Sequence, residues 1–378
     1  MGTTARLVAV LVLVLGSLPG CGAEPPPVGV LLPLSDDAMS LWGHQAERGL
    51  RLAHEQIPEG ERPPLLIEDS KGHERGAILG FEALVAAGSN VVIGPFSTDT
   101  CIGTGAVADN ERVPFVSPSA TGEVVTHESA YALRVCYSDD EVARGLAAFA
   151  TGELGLSRVA LVVDLSRTYA LGLAESFADE LARRHGRVVE EVGFWPGDTD
   201  LGGTLDRLVA LQDPETPDGG LAIEAVLVAG FGRDIVPMIE GAQDERVRSL
   251  VLLGADGWDA ESLRRAVPGR VAGAYHTSHF SVEEDDPAVS AFEQAYRARY
   301  GEEPSDIAAL TYDAARVVFS VYDPRADGAT LRTRLRSIRR FAGVTGEIDL
   351  DFSGEPEGKS IVLEQIHDPS RPGFVRRL

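Results

Sequence analysis

Lysine is almost missing from this chain: Lys71 and Lys359 are the only two in 378 residues. The 34 basic residues face 58 acidic ones, and the net charge is -24 at pH 7. Such a surface repels a phosphate backbone everywhere except at a concentrated basic patch. The paired arginines (Arg183-Arg184, Arg264-Arg265, Arg339-Arg340) sit among acidic residues and read as solvated helix faces, so nucleic acid is excluded as a partner. Catalytic signatures are absent too. There is no Gly-x-Ser-x-Gly elbow, Walker loop or His-Glu-x-x-His pair, and Gly230-Phe231-Gly232 lacks the third glycine of a dinucleotide fingerprint. His276 and His279 lie three apart on an expected strand, which turns them to opposite faces and argues against a metal pair. His73, a lone loop histidine, reads as solvated. No enzyme, cofactor or metal is expected. Past the N-terminus no apolar run is long enough to cross a bilayer.

What is present begins with a leader. Arg6 gives a positive start, Leu7 to Leu15 an apolar core too short to span a membrane, and Leu18-Pro19-Gly20-Cys21 an ending that looks like a bacterial lipobox. Residues 1–20 are therefore expected to be a signal peptide, with Cys21 as the lipidated mature terminus and 21–27 as a short, Pro-rich tether. This places the chain outside the cytoplasm as a membrane-anchored bacterial lipoprotein. Two cysteines remain, Cys101 and Cys136, open to two readings: a bridge formed in an oxidising compartment, or two buried thiols.

From Val28 onward, short apolar runs alternate with helix-like stretches, the pattern of βαβ units and parallel sheets. Val28–Leu34, Pro64–Ile67, Val91–Phe96 and Val113–Val116 read as strands, with helices at Trp42–Gln56 and Glu74–Ala87. Near Ala132 the chain begins again, with strands at Val159–Val163, Val188–Val192, Ala225–Ala229 and Leu250–Leu253. The polar segment Gln212–Gly220 reads as a surface turn. The count exceeds one sheet. The expected fold is α/β, two Rossmann-like lobes with parallel central sheets and several hinge crossovers. Lobe 1 is assigned 28–137 and 270–325, lobe 2 138–269 and 326–378.

Two strands end alike. Val91-Val92-Ile93-Gly94-Pro95-Phe96 runs into Ser97-Thr98, and Val113-Pro114-Phe115-Val116 into Ser117-Pro118-Ser119-Ala120-Thr121. Open α/β sheets build ligand crevices at the carboxyl ends of their strands, where hydroxyls and free N–H groups at helix starts suit a carboxylate. Thr98 is read as a turn or helix cap. With no catalytic base nearby, the pattern points to capture of a small anion-bearing molecule.

In order and spacing, Leu41-Trp42-Gly43-His44 with Gly49, Gly94-Pro95-Phe96-Ser97, Ser117-Pro118-Ser119-Ala120-Thr121 and Gly254-Ala255-Asp256-Gly257-Trp258 carry a resemblance, extended by Ala309 to Ala315 and Gly343-Val344-Thr345-Gly346. The chain resembles the leucine/isoleucine/valine-binding branch of type I periplasmic binding proteins, receptors of ABC importers. The resemblance implies that Ser97, Ser119 and Thr121 hold an amino acid's head group, that Asp256 meets its ammonium, and that Tyr169 closes over it. Trp42 and Phe231 would line the side-chain pocket, and an ABC permease would be the protein partner. Without the resemblance, Asp256 reads equally as an N-cap for a helix opening at Trp258. Relatives often carry a longer Glu there, and Asp36-Asp37 stand where relatives have small residues, so the ligand's identity stays open. A sensing or envelope-interaction lipoprotein on the same fold is the alternative.

Overall fold

A computed structural model describes residues 24–35, 39–198, 200–212, 220–367 and 373–378. The leader, Cys21, Asp36-Asp37 and the core of the turn expected at Gln212–Gly220 lie outside the described residues.

The first lobe is built from β1 (Val28–Leu32), α1 (Ser40–Glu55), β2 (Leu65–Asp69), α2 (Glu74–Ala86), β3 (Val92–Ile93), α3 (Thr98–Glu111), β4 (Phe115–Ser117), α4 (Val124–His127) and β5 (Ala132–Arg134). Its five strands pair in parallel in the order β2-β1-β3-β4-β5. The order reverses direction beside β1 and β3, which puts a topological switch point, and hence a crevice, at their carboxyl ends.

The chain then crosses to α5 (Asp139–Gly152), which starts with a capping box between Ser138 and Glu141. The second lobe follows: β6 (Arg158–Asp164), α6 (Thr168–Arg183), β7 (Arg187–Phe194), α7 (Thr204–Val209), β8 (Ala225–Ala229), α8 (Gly232–Gly241), β9 (Val251–Gly254), α9 (Ala260–Ala266) and β10 (Tyr275–Ser278). Strands β6 and β8 are almost continuous apolar runs because helices cover both faces of the sheet. A second crossing leads to α10 (Pro287–Tyr300), α11 (Asp306–Val321), α12 (Gly328–Leu335) and the hairpin β11 (Phe341–Gly343) and β12 (Gly346–Ile348). A third returns for β13 (Val362–Gln365) and β14 (Gly373–Arg377), completing a seven-stranded sheet ordered β14-β13-β10-β9-β8-β6-β7.

Two lobe boundaries differ from those read from the sequence. The stretch from 270 was expected in lobe 1, but β10 pairs with β9 and β13 in the lobe 2 sheet. The stretch 326–378 was expected in lobe 2, yet Leu331, Leu335, Val344, Ile348 and Leu350 are buried in the lobe 1 core beside α1, α10 and α11. The alternation of apolar and polar residues fixes that a strand exists, not which sheet it joins.

Close backbone approach sets the lobe 1 core. A Cβ on Gly49 would lie 2.0 Å from the Ala308 carbonyl oxygen, so glycine is what lets α1 and α11 pack face to face. The hairpin is tied to α11 by Asp313, which accepts from the Val344 and Thr345 amides and the Thr345 hydroxyl at 2.7–2.9 Å. Lys359, buried, donates to that same hydroxyl at 2.8 Å.

Cys101 and Cys136 are both buried free thiols, so the bridging alternative is not taken. They belong to different apolar clusters, Cys101 packing with Phe81 and Phe115 and Cys136 with Val116, Val135 and α11. Burial pushes the Cys101 thiol up to about 12 and Cys136 well above its ordinary value, which keeps both protonated and inert. Denatured without reductant, the purified chain is expected to release both thiols to a maleimide or disulfide reagent, and the native protein neither. Thiols that appear only after reduction would reinstate the bridge.

Candidate functional site

The segments after β3, β4, β6, β8 and β9 converge on one cleft between the lobes, of ≈ 270 Å³. All seven residues singled out from the sequence line it: Ser97, Ser119 and Thr121, with Trp42, from lobe 1, and Tyr169, Phe231 and Asp256 from lobe 2. Cys21, the eighth, lies outside the described residues.

On the lobe 1 wall, α3 points its N-terminus into the cleft. Its 14 residues give a full dipole, and the first-turn amides are the orphan donors of any helix start. Ser97 is the N-cap: its Oγ accepts from the Thr100 amide, and the Thr100 hydroxyl accepts from the Ser97 amide. Capping and cleft lining therefore coincide in one residue, where the sequence reading separated them. Thr98 serves the structural role expected of it, accepting from the Gly122 amide at 3.1 Å, although it too borders the cleft. Ser119 donates to the Phe96 carbonyl at 2.8 Å, which joins the two strand-end loops directly.

That pair of loops is held from behind by Arg134 at the end of β5, which is 0% exposed. Its Nη1 donates to the carbonyls of Ala120, Thr121 and Gly122 at 3.2, 2.7 and 3.0 Å, and its Nε to Glu355 Oε2 at 2.6 Å. Burial opposes the charge, but the carboxylates of Glu355 and Glu123 outweigh it and hold the guanidinium firmly protonated.

On the lobe 2 wall, Asp256 follows β9. It does not cap the next helix; Asp259 does, accepting from the Ser262 amide at 3.1 Å. Asp256 Oδ2 lies 3.3 Å from His279 Nε2, while Oδ1 is buried with no hydrogen-bond partner among the described residues. His279 stacks on Tyr137 with ring centroids 3.7 Å apart. The Tyr169 hydroxyl and Trp258 Nε1, both lining the cleft, are likewise buried without partners. Gly254 makes room for the Trp258 ring, since a Cβ there would come within 2.2 Å of it.

The walls touch at the rim. Trp42 meets Phe231 edge to face at 4.8 Å, Tyr169 stacks on Phe231 at 5.6 Å, and the Arg167 guanidinium covers that ring at 3.9 Å. Thr168, opening α6, donates its hydroxyl to Asp99 Oδ1 on α3 at 2.5 Å, a direct hydrogen bond between lobes.

Three cleft residues, and Asp139 just behind them, were not assigned to the site from the sequence, His276 having been weighed only as half of a metal pair. His276 lines the cleft from β10, 3.4 Å from Glu364 Oε2, and burial lowers its pKa to about 4, so it is neutral. Burial pushes Glu364 up to about 7. Asp306, at the start of α11, is raised to about 7 by burial and by the charges of Asp256, Asp259 and Glu364. Asp139, behind Thr121, is 2% exposed and raised well above the carboxylate range by burial and by Asp256. Asp306 and Asp139 each look like an ordinary first-turn acid, and Glu364 like an outward strand residue. No group of three or more His, Cys, Asp or Glu among the described residues is placed to hold a metal ion.

Replacing Arg134 by Met leaves three loop carbonyls unpaired and Glu355 without its cation. A loss of about 3–5 kcal/mol, or on the order of 10 °C in melting temperature, is expected in thermal denaturation. A shift within a degree or two would remove Arg134 from this role.

The profile of the periplasmic binding protein family matches residues 25–360. The Leu/Ile/Val-binding protein BraC3 of Rhizobium johnstonii is 27% identical over 252 residues, spanning 61% of this chain and 67% of that protein. The leucine binding protein LivK of Thermotoga maritima superposes with a TM-score of 0.82 at 25% identity, covering 93% of this chain and 98% of that one. The branched-chain amino acid transporter substrate binding protein LivJ of Streptococcus pneumoniae, solved in complex with isoleucine, superposes at 0.81 with 23% identity over 93% and 100% of the two chains.

Proposed function

The chain belongs to the periplasmic binding protein family, and from that premise we propose that it is the lipid-anchored receptor of an ABC importer, binding an amino acid or similar small zwitterion between its lobes and delivering it to a permease. It is a receptor and not an enzyme, and the family works outside the cytoplasm. Among the described residues no helix is long and apolar enough to cross a membrane. In this reading the hold on the outer membrane surface comes from lipid on Cys21.

One observation carries the ligand class: a helix N-terminus ringed by hydroxyls faces, across the same cavity, an aspartate with an unpartnered oxygen. An α-carboxylate is placed at Ser97, Ser119 and Thr121, where charge-assisted hydrogen bonds contribute about 1.5–3 kcal/mol each. An ammonium is placed at Asp256 Oδ1, with the Tyr169 hydroxyl beside it. The cavity of ≈ 270 Å³ lies at the small end of ligand sites, which suits one amino acid. Trp42, Phe96 and Phe231 form its apolar wall. Lobe closure then reports occupancy to the permease, because the contacts between Asp99 and Thr168 and between Trp42 and Phe231 exist only when both walls meet.

A thermal-shift screen of amino acids and amides identifies the ligand class, and calorimetry on the hit tests the site. Asp256→Ala is expected to weaken binding by about 2–4 kcal/mol, because the ligand's cation is left buried and unpaired. Unchanged affinity rejects the assignment. Cells fed a radiolabelled fatty acid should label the wild-type chain and not Cys21→Ser; equal labelling of both would remove the anchor.

A further inference from the structure

A simple zwitterion uses one cation partner, Asp256, yet four more carboxyl groups line the same cleft; Asp259 caps α9 and Glu303 pairs with Arg297 at 2.7 Å, which leaves Asp306 and Glu364 without a lysine or arginine partner among the described residues. No lysine or arginine is among its lining residues. Asp306 enters from lobe 1 at the start of α11, and Glu364 from lobe 2 on β13. His276, 3% exposed, also lines the cleft, 3.4 Å from Glu364, with its Nε2 making no hydrogen bond among the described residues. The imidazole is neutral, so it adds no compensating charge. Carboxylates crowded into a walled cavity repel one another and lose hydration, and both effects oppose ionisation. A ligand cation relieves both. Metal ions are a poor alternative, since no group of three or more donor residues among those described is placed around a common point.

Resting on the amino-acid receptor reading above, we propose that the ligand is a basic amino acid, whose side-chain ammonium or guanidinium seats between Asp306 and Glu364 while its head group spans Ser97 and Asp256. Its aliphatic stem runs along the apolar wall of Trp42, Phe96 and Phe280. Long cationic side chains pack in this way, methylenes on apolar surface and charge at a polar end. The head-group anchors select any amino acid; the second acidic site selects among them.

The experiment is calorimetry on the full mature chain, freed of co-purified ligand by unfolding and refolding, with arginine and lysine and their neutral near-isosteres citrulline and norleucine, plus leucine. Arginine or lysine is expected to bind tighter than its neutral counterpart by about tenfold or more, because the isostere leaves buried carboxyl groups unpaired. In the double variant Asp306→Asn/Glu364→Gln that ratio should fall below about threefold. A ratio near one in the wild type, or leucine as the tightest ligand, overturns the proposal and leaves the amino-acid receptor standing. If the ratio survives in the double variant, the cation sits elsewhere and the proposal fails. If none of the five binds, both readings fall together.

Discussion

The buried guanidinium of Arg134 is the interaction on which the rest of the site depends. Burying a charge costs several kcal/mol unless it is paired and its donors are satisfied, and Arg134 spends its hydrogen bonds on three successive carbonyls and, chiefly, the carboxylate of Glu355, with Glu123 beside it at 3.5 Å. Those carbonyls belong to the loop that carries Ser119 and Thr121. The carboxylate, Glu355, lies on the third passage between the lobes. One side chain therefore fixes both the shape of the head-group loop and its position relative to the hinge. Under the proposed function, serine and threonine hydroxyls would bind a carboxylate well only with their backbone already in place, and Arg134 supplies that order.

The two lobes contribute unequally. Lobe 1 offers the α3 dipole and hydroxyls, with the carboxyl group of Asp306 at the start of α11. Lobe 2 contributes Asp256 and Glu364, with aromatic rings at the rim. Asp256 Oδ1, the Tyr169 hydroxyl and Trp258 Nε1 are left without partners among the described residues behind that rim. Polar atoms in this condition are costly in a core and useful in a binding cleft, where a ligand satisfies them. Closure contacts at the rim, Trp42 on Phe231 and Thr168 on Asp99, exclude water from the same space.

Much of this was legible in the chain itself. Strand ends rich in hydroxyls and the alternation of apolar runs with helices rest on local chemistry, whereas the roles of Asp256, Tyr169, Trp42 and Phe231 came from the family resemblance; all seven residues line one cavity. What local chemistry does not encode is which sheet a late strand joins. So β10 and the segment holding α12, β11 and β12 were assigned to the wrong lobes. Helix α5 was passed over, although its capping box at Ser138 and Glu141 is present in the sequence. Asp306 and Glu364 escaped notice for a related reason: each is unremarkable beside its own neighbours, and the two come to line one cleft only after the third chain crossing. The bridging alternative for Cys101 and Cys136 left out the fact that two cysteines in one lobe can belong to separate apolar clusters.

Lysine scarcity has a practical side. Lys359 is sequestered against Thr345, whereas Lys71 is exposed just past β2, at the carboxyl edge of the lobe 1 sheet. Amine-directed reagents thus find a single accessible side chain on the folded surface, on one jaw and at its open edge. A dye placed there without engineering would mark the folded chain at one defined point, on the first lobe alone.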